Sequence, residues 1–297
     1  MVNGILNIYK EKGYTSHDVV AILRKTLNQK KIGHTGTLDP EAEGVLPICI
    51  GKGTKVSSLL TEKDKVYETI LTLGITTDTQ DYTGKILEKK EVNITKDKLN
   101  SVIKSFEGEY NQVPPMFSAI KVQGKKLYEL ARKGIEVERK SRKVNIYRIE
   151  ILGYIDGINI KLKIECSKGT YIRTLCHDIG QKLGCGGHMS YLLRTRVGIF
   201  KLENSMKLDR VVKLYEEQKL IKNIYNIDKL FDYPQVIVTN KYNKFLYNGN
   251  KLSSKALKTN IIERDKKLRV YDEHMQFVGI YQYIQEQEVI KPIKIFL

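Results

Sequence analysis

One segment of the sequence places a carboxylate where its direction is restricted. In KIGHTGTLDPEAEGVLPICIG, residues 31–51, Asp39 stands between a leucine and Pro40, with glycines on both sides. A proline keeps the residue before it out of the α region, so Pro40 limits the directions that the Asp39 side chain can take. This pattern fits a preorganised nucleophile or base. Taken alone, the motif favours a helix N-cap at Asp39 with Pro40 as the first helical residue, and both interpretations can hold at once.

Two glycine-rich segments resemble nucleotide-binding loops without matching them. In GVLPICIGKGTK, residues 44–55, six residues separate Gly44 from Gly51, and Gly53 stands where a Ser or Thr would bind Mg²⁺. A phosphate-binding loop has four residues at that point and needs the hydroxyl. The segment GCGGHMS, residues 184–190, lacks the third glycine of the dinucleotide fingerprint. The sequence therefore predicts no cofactor.

A cluster of cysteine and histidine has the chemistry of a zinc site but not its spacing. Cys176, His177, Cys185 and His188 lie within thirteen residues. Zinc sites of the common structural kind use other spacings, and adjacent helical residues point about 100 degrees apart. The sequence predicts no metal here, a buried Cys176 and a Cys185 in a loop.

The charge balance points to a polyanionic partner. The chain has 297 residues, with 51 Lys and Arg against 34 Asp and Glu, a formal net charge of +17. Basic proteins gain affinity for nucleic acid because neutralised phosphates release their counterions. A lysine-rich genome or an anionic membrane surface are the alternative explanations. Charge alone favours nucleic acid.

Other features of composition predict a cytoplasmic protein. No apolar run approaches the roughly 20 residues that span a bilayer, so no membrane association through a span is expected. The N-terminus has neither a basic leader nor a small-residue cleavage site. Four cysteines in a chain of this length are too few for a disulfide scaffold and fit a reducing compartment.

Two hydrophobic periods alternate along the first three quarters of the chain. Segments with helical spacing follow polar N-cap candidates, and other segments alternate as half-buried strands do. Helices mixed with antiparallel strands indicate the α+β class. Helices are predicted at 17–29 with Ser16 as the N-cap, from Thr95 to Gly108, at 170–184 and near 208–219, and strands at 66–75 and 158–166.

The pattern changes near residue 233. Residues 233–297 contain short β-rich pieces separated by turns, which is typical of a small barrel or sandwich. We therefore predict a first domain at 1–232 and a second at 233–297.

A basic segment interrupts the first domain. Residues 121–143 hold nine Lys and Arg against three Glu, and PPMFS precedes them. A solvated surface hairpin or helix would account for this composition. The alternative is a basic excursion at about 111–143, entered through a stiff proline pair, that grips a phosphate backbone.

Taken together, the motifs resemble the TruB family of pseudouridine synthases. The resemblance rests on GHTGTLDP with GVLP and IGKGTK downstream, on KVYE with TDTQDYTG, and on PPMFSAIK and CSKGTYIRT. It implies a central mixed, largely antiparallel sheet flanked by helices, followed by a small β-barrel-like PUA domain at 233–297. It also implies isomerisation of the uridine at position 55 in the T-loop of tRNA.

The resemblance also implies the roles of three catalytic residues. Asp39 would be the catalytic aspartate, since breaking the C1′–N1 bond and forming the C5–C1′ bond needs an ionised carboxylate. Arg173 would be the cation that keeps this carboxylate charged despite burial. Without the resemblance, Arg173 reads as a surface residue of a first helical turn. Tyr67 would stack on the flipped uracil and take the C5 proton, whereas a strand tyrosine is otherwise a packing residue.

Three further positions match substrate-binding residues of the family. His34 would stabilise the flipped-out loop, and Tyr171 and Leu192 would form the pocket wall. The implied partner is the T-arm of tRNA, bound by a monomer that needs no cofactor, metal or protein partner. Two alternatives remain. One is the catalytic subunit of a guide-RNA-dependent particle, and the other is a non-catalytic tRNA-binding or folding protein in which Asp39 is only a cap.

Overall fold

A computed structural model describes residues 2–122, 124–258 and 266–297. The strands are β1 (Gly4–Lys10), β2 (Ile32–His34), β3 (Glu43–Ile50), β4 (Lys65–Leu73), β5 (Ile75–Thr77), β6 (Ile86–Lys89), β7 (Gly108–Gln112), β8 (Lys121–Val122), β9 (Lys125–Lys126), β10 (Arg142–Tyr154), β11 (Asn159–Cys166), β12 (Gly187–Val197), β13 (Phe200–Lys201), β14 (Gln235–Ile237), β15 (Leu252–Ser253), β16 (Lys267–Tyr271), β17 (Phe277–Ile284) and β18 (Val289–Ile295). The α-helices are α1 (Ser16–Thr26), α2 (Ser57–Thr61), α3 (Lys96–Lys104), α4 (Leu127–Ala131), α5 (Ile172–Leu183), α6 (Leu208–Glu216) and α7 (Asn243–Tyr247).

A nine-stranded mixed sheet forms the centre of the first part of the chain. Its order is β1-β3-β12-β4-β11-β10-β7, with β2 on β3 and β13 on β12. All of these pairs are antiparallel except β3 with β12. Helices α1, α3, α5 and α6 pack against one large apolar core of this sheet. The prediction of an α+β fold with a mixed, largely antiparallel sheet is confirmed.

Several predicted boundaries shift by a few residues. The N-cap of α1 is Thr15 and not Ser16, because Thr15 forms a reciprocal capping box with Asp18. Thr95 caps α3 as predicted, but that helix ends at Lys104, and Gly108 opens β7 instead. Helix α6 ends at Glu216, two residues before the left-handed Gln218.

The C-terminal part has its own sheet and its own core. Five short strands follow the order β14-β16-β17-β18-β15 around a separate apolar cluster. A second cluster joins the two parts, because Ile280 and Phe296 pack with Ile5 and Val45 of the central sheet. The domain boundary near residue 232 stays a prediction.

The basic excursion leaves the central sheet between two neighbouring strands. β7 and β10 pair antiparallel, so the chain between them, residues 113–141, starts and ends at the same sheet edge. It contains the β8–β9 hairpin and the short helix α4, and half of its described residues are exposed. Within the described residues, no helix is long and apolar enough to cross a membrane.

Candidate active site

Asp39 lies in a tight turn between β2 and β3. The N–H of Ala42 donates to the Asp39 carbonyl at 3.1 Å, which closes a four-residue turn with Pro40 in its second position. The fixed φ of proline suits that position. The N-cap alternative for Asp39 is wrong, because β3 begins at Glu43 and pairs at once with β1, leaving no room for a helix.

Two side chains from the N-terminal segment hold the backbone on either side of Asp39. The Ser16 hydroxyl accepts from the N–H of Leu38 at 2.9 Å and donates to the Leu38 carbonyl at 3.1 Å. On the other side, Lys10 Nζ donates to the Pro40 carbonyl at 3.0 Å. Lys10 is completely buried, and burial lowers its pKa to about 8. The aspartate is thus fixed in the chain by contacts that do not use its own carboxylate.

Arg173 holds the Asp39 carboxylate at two points. Arg173 Nε lies 3.0 Å from Asp39 Oδ2, and Nη2 lies 3.4 Å from Oδ1. Arg173 is in the first turn of α5 and its side chain is only 6% exposed, whereas that of Asp39 is 39% exposed. The alternative of a surface arginine is therefore wrong. The cation is buried behind a carboxylate that stays partly exposed, and we call the space in front of this carboxylate the cleft.

A second carboxylate, which the sequence analysis did not single out, fixes Arg173 from the other side. Arg173 Nη1 lies 3.5 Å from Asp81 Oδ2. Arg173 also donates to two backbone carbonyls, that of Thr79 at 3.3 Å and that of Phe117 at 2.9 Å. Asp81 belongs to TDTQDYTG, one of the motifs that carried the family resemblance, and that was the available signal. Phe117 belongs to the base of the excursion.

Some surroundings of Asp39 raise the pKa of its carboxyl group, and others lower it. Burial raises the pKa of the Asp39 carboxyl above its ordinary value, and the Arg173 guanidinium counteracts this rise. The negative charge of Asp81 raises the Asp39 pKa further, while Lys10 and Arg194 lower it. A carboxylate with a raised pKa is a stronger base and nucleophile than a free aspartate, provided that the pH keeps it ionised.

Tyr67 approaches the same cleft from strand β4. It lies directly opposite Arg194 of β12 in the sheet, and the Arg194 guanidinium interacts with its hydroxyl. Burial raises the pKa of Tyr67, and the Arg194 charge opposes the rise.

Arg194 ties Tyr67 to the Asp39 turn, and sequence reasoning missed it. Its Nε donates to the Val45 carbonyl at 2.7 Å and its Nη2 to the Gly36 carbonyl at 3.2 Å. Gly44 allows the backbone of Arg194 to come this close to β3. Its φ is +105°, and a Cβ there would lie 2.3 Å from the Arg194 carbonyl oxygen. Nothing in the pattern around Arg194 distinguishes it from other strand arginines.

His34 stands at the end of β2 with one ring nitrogen occupied. Its Nδ1 accepts from the N–H of Gly36 at 3.3 Å, which leaves the Nε2 proton as the available donor. Burial is the main cause that lowers the pKa of His34, and Arg194 adds to it. The ring is therefore a neutral donor at the start of the Asp39 turn.

Comparison with known proteins identifies the family. Residues 24–172 match the N-terminal domain of the TruB family of pseudouridylate synthases, and residues 173–232 match the tRNA pseudouridylate synthase B C-terminal domain. The chain belongs to the TruB family. A tRNA pseudouridine synthase B of Lachnoclostridium phytofermentans is 50% identical over 100% of both chains, and that of Alkaliphilus oremlandii is 49% identical over 99% of this chain and 97% of its own.

Solved structures agree with the fold. The crystal structure of a Cbf5-Nop10-Gar1 complex contains a chain with 30% identity and a TM-score of 0.76, covering 99% of this chain and 85% of its own. An H/ACA RNP bound to a substrate RNA containing 2′-deoxyuridine gives 28% identity and a TM-score of 0.74 over 99% and 85%. The predicted pseudouridine synthase fold is confirmed, and the five-stranded C-terminal sheet is consistent with a PUA-like domain.

Two remaining residues of the TruB pattern occupy different environments. Tyr171 is half-buried just before α5, and its backbone N–H and carbonyl both bond the side chain of Gln112 at the base of the excursion. Leu192 is buried in the main core, opposite Thr69 of β4. The structure thus brings Asp39 into contact with Arg173 and close enough to Tyr67 and Tyr171 for its charge to raise the pKa of both tyrosines. A pocket-wall role for Leu192 stays a prediction.

The cysteines are placed as packing residues. Cys176 is buried in α5, where burial raises its pKa to about 12, and Cys185 is buried just after that helix. His188 Nδ1 lies 3.1 Å from the Ile75 carbonyl oxygen. Across residues 2–122, 124–258 and 266–297, no three His, Cys, Asp or Glu side chains are grouped as metal ligands would be.

Proposed function

We propose that this protein converts a uridine of tRNA to pseudouridine, and specifically the uridine at position 55 of the T-loop. Membership of the TruB family makes it an isomerase. The observation that carries the proposal is the Asp39 carboxylate, held at two points by buried Arg173 at the opening of a cleft that also contains Tyr67.

The chemistry needs an ionised carboxylate against the sugar or the base. The C1′–N1 bond breaks, the base turns, and C5 bonds to C1′. A carboxylate can attack C1′, remove the neighbouring proton of the sugar, or add to C6 of the base. All three routes use Asp39 in its charged form. Arg173 supplies the fixed positive charge that stabilises this form in the cleft.

The reacting uridine must leave the RNA stack to reach Asp39. A base in a folded loop is inaccessible, so it is extruded into a pocket and held there. In our proposal the ring of Tyr67 stacks on the extruded uracil, and Nε2 of His34 donates to the opened loop. The proton that C5 loses when it bonds to C1′ then passes through the Tyr67 hydroxyl, whose oxygen accepts it as the hydroxyl gives up its own hydrogen. The C–H electrons restore the C5–C6 double bond, and N1, freed from C1′, takes up a proton, so the reaction remains an isomerisation.

Binding of the rest of the tRNA follows from charge. The net charge of +17 gives the chain a general attraction for a polyanion. The excursion at about 111–143 would grip the T-arm, and the PUA-like part would contact further phosphates. We expect a cytoplasmic monomer that acts on tRNA without a protein partner.

The alternative of a guide-RNA-dependent subunit has a specific observation in its favour. The solved structures reported above are an H/ACA RNP bound to a substrate RNA and a Cbf5-Nop10-Gar1 complex, which are assemblies of several components, and their matching chains have 28–30% identity to this one. Full-length relatives named tRNA pseudouridine synthase B reach 49–50% identity, which supports the stand-alone enzyme more strongly.

One experiment separates the three functions. Pure protein is mixed with an unmodified tRNA transcript, and pseudouridine is measured by nuclease digestion and chromatography. We expect conversion at position 55 without added guide RNA, and none with Asp39→Asn. Conversion only with guide RNA and partner proteins would support the particle. Tight binding with no conversion under any condition would support a folding protein.

A further inference from the structure

An exposed cluster of three side chains borders the Asp39–Arg173 ion pair. The Tyr82 hydroxyl donates to Glu41, and Lys12 Nζ lies 3.3 Å from the same carboxylate and 5.1 Å from the centre of the Tyr82 ring. Tyr82 is nevertheless 42% exposed. This cluster plays no part in the catalytic proposal above.

Each member of the cluster is attached to a fixed part of the cleft. Glu41 follows Pro40 in the Asp39 turn, and Tyr82 follows Asp81, which binds Arg173. Lys12 precedes Gly13, whose N–H donates to the Pro40 carbonyl at 3.0 Å. The backbone of Tyr82 is also fixed, because its N–H donates to the Met189 carbonyl at 3.0 Å. The ring therefore stands in a set orientation at the rim of the cleft.

A tyrosine held in this way suits a nucleobase. The Lys12 cation lies over one face of the ring and Glu41 occupies the hydroxyl, so a base would stack on the opposite face. Aromatic rings bind bases by stacking without reading their sequence, and a preordered ring loses little entropy on doing so. RNA entering the cleft to reach Asp39 passes this rim.

We infer that Tyr82 is a stacking platform for a base of the substrate RNA next to the uridine held at Asp39, with Glu41 and Lys12 fixing its ring. This inference rests on the proposed function. It adds a binding residue outside the reacting site, whose contribution is to affinity, because a neighbouring base is bound equally before and during the reaction.

The first test compares two substitutions of Tyr82 in the full-length protein. Tyr82→Ala removes the ring and should raise the Kd for an unmodified tRNA transcript by about tenfold, in line with the measured loss of one base–aromatic stack. Tyr82→Phe keeps the ring and should raise Kd by less than about threefold. A Tyr82→Phe variant as weak as Tyr82→Ala would contradict stacking, since the hydroxyl would then be the essential group.

Tyr154 provides a matched control on the same chain. It is 41% exposed, carries Lys96 Nζ at 5.0 Å from its ring centre, and ends β10 away from the excursion. Tyr154→Ala should leave Kd within twofold of the wild type. Equal losses for Tyr82→Ala and Tyr154→Ala would show a general effect of exposed tyrosines and would overturn the assignment.

Abasic substitution in the RNA identifies the stacked base. Stem-loop RNAs carrying one abasic nucleotide at each position flanking the target uridine are titrated with wild type and Tyr82→Ala. At one position the tenfold difference between the two proteins should disappear, and a constant difference at every position would reject the platform. Conversion of the intact RNA by the wild type, measured in the same series, tests the proposed function separately. Wild-type conversion with equal Kd for both proteins would reject the platform alone, and no conversion would reject the function and the platform with it.

Discussion

Two carboxylates share one arginine, and they are held in different ways. Asp81 is 12% exposed at its side chain, and its Oδ1 accepts from the hydroxyl of Thr79 and from the N–H and hydroxyl of Thr83. Asp39 is 39% exposed, and it contacts Arg173 while other residues hold its backbone. The loop at 78–84 surrounds the Asp81 carboxylate with hydrogen-bond donors. The turn at 39–42 leaves the Asp39 carboxylate partly exposed.

The difference shows how one ion-pair network provides both structure and reactivity. Oxygen lone pairs that accept hydrogen bonds from Thr side chains are unavailable to a substrate, so Asp81 can act only through Arg173. Both Asp39 oxygens contact Arg173, but the carboxylate stays partly exposed and keeps further lone pairs for attack or proton transfer. We therefore propose that Asp81 is a positioning residue and that Asp39 is the reacting one.

The largest effect is expected for Asp39→Asn. The amide has the shape of the carboxylate but is neither a nucleophile nor a base, so the single-turnover rate on a tRNA transcript should fall by about 10⁴-fold or more. Filter binding should give a Kd within about threefold of the wild type. Turnover within tenfold of the wild type would transfer the reaction to another group.

Tyr67→Phe should have the next largest effect. The variant keeps the stacking face and loses the hydroxyl that Arg194 faces, so tRNA should bind nearly normally. Loss of a proton-transfer group slows a reaction by about 10²- to 10⁴-fold, and here the delay should follow cleavage of the glycosidic bond. Normal release of tritium from 5-tritiated uridine by the Phe variant would leave Tyr67 with stacking alone.

Asp81→Asn should slow the reaction less than Asp39→Asn or Tyr67→Phe. The amide keeps some of the hydrogen bonds in the loop but no longer attracts Arg173, whose alignment with Asp39 loosens. Misplacement of a positioned group by about 1 Å costs about 100-fold in rate, which sets the upper limit here. Quench-flow measurement at saturating enzyme isolates this effect from binding. A loss as large as that of Asp39→Asn would make both carboxylates reacting groups.

The smallest effect on the reaction rate is expected when lysines of the excursion are replaced. Replacing Lys133 and Lys140 of the excursion by Gln removes two exposed cations. The slope of log Kd against log salt should decrease by up to about two, because about one counterion is released per phosphate contact. The saturated rate should be reduced by less than about threefold. An unchanged salt slope would show that these lysines do not contact RNA.

Local patterns predicted the elements that depend on local chemistry. Alternation gave β4 and β11, and Thr95 marked the start of α3, because a strand face and a cap are set by adjacent residues. The end of α3 was missed, and the helix N-cap alternative for Asp39 was wrong. In both places the chain enters a strand whose pairing partner is remote in sequence, and that pairing overrides the helical preference.

The residues of the candidate site also differ in whether the sequence could predict them. Asp39, Arg173 and Tyr67 were predicted through family motifs, whereas Asp81 and Arg194 were not. Arg194 acts by donating to carbonyls about 150 residues earlier in the chain, and no spacing in the sequence shows such a contact. The Lys10 and Ser16 contacts with the Asp39 turn are likewise products of tertiary packing.

The pH dependence of catalysis tests most directly whether Arg173 and Asp81 set the charge of Asp39. The ionised form reacts and its pKa is raised, so the single-turnover rate should fall as the pH drops through that pKa. Asp81→Asn removes a negative charge that raises this pKa, so its acid limb should move to lower pH. Arg173→Gln removes the cation that lowers this pKa, so its limb should move to higher pH. Opposite shifts, in variants shown by thermal melting to be folded, would support the account; coincident limbs would contradict it.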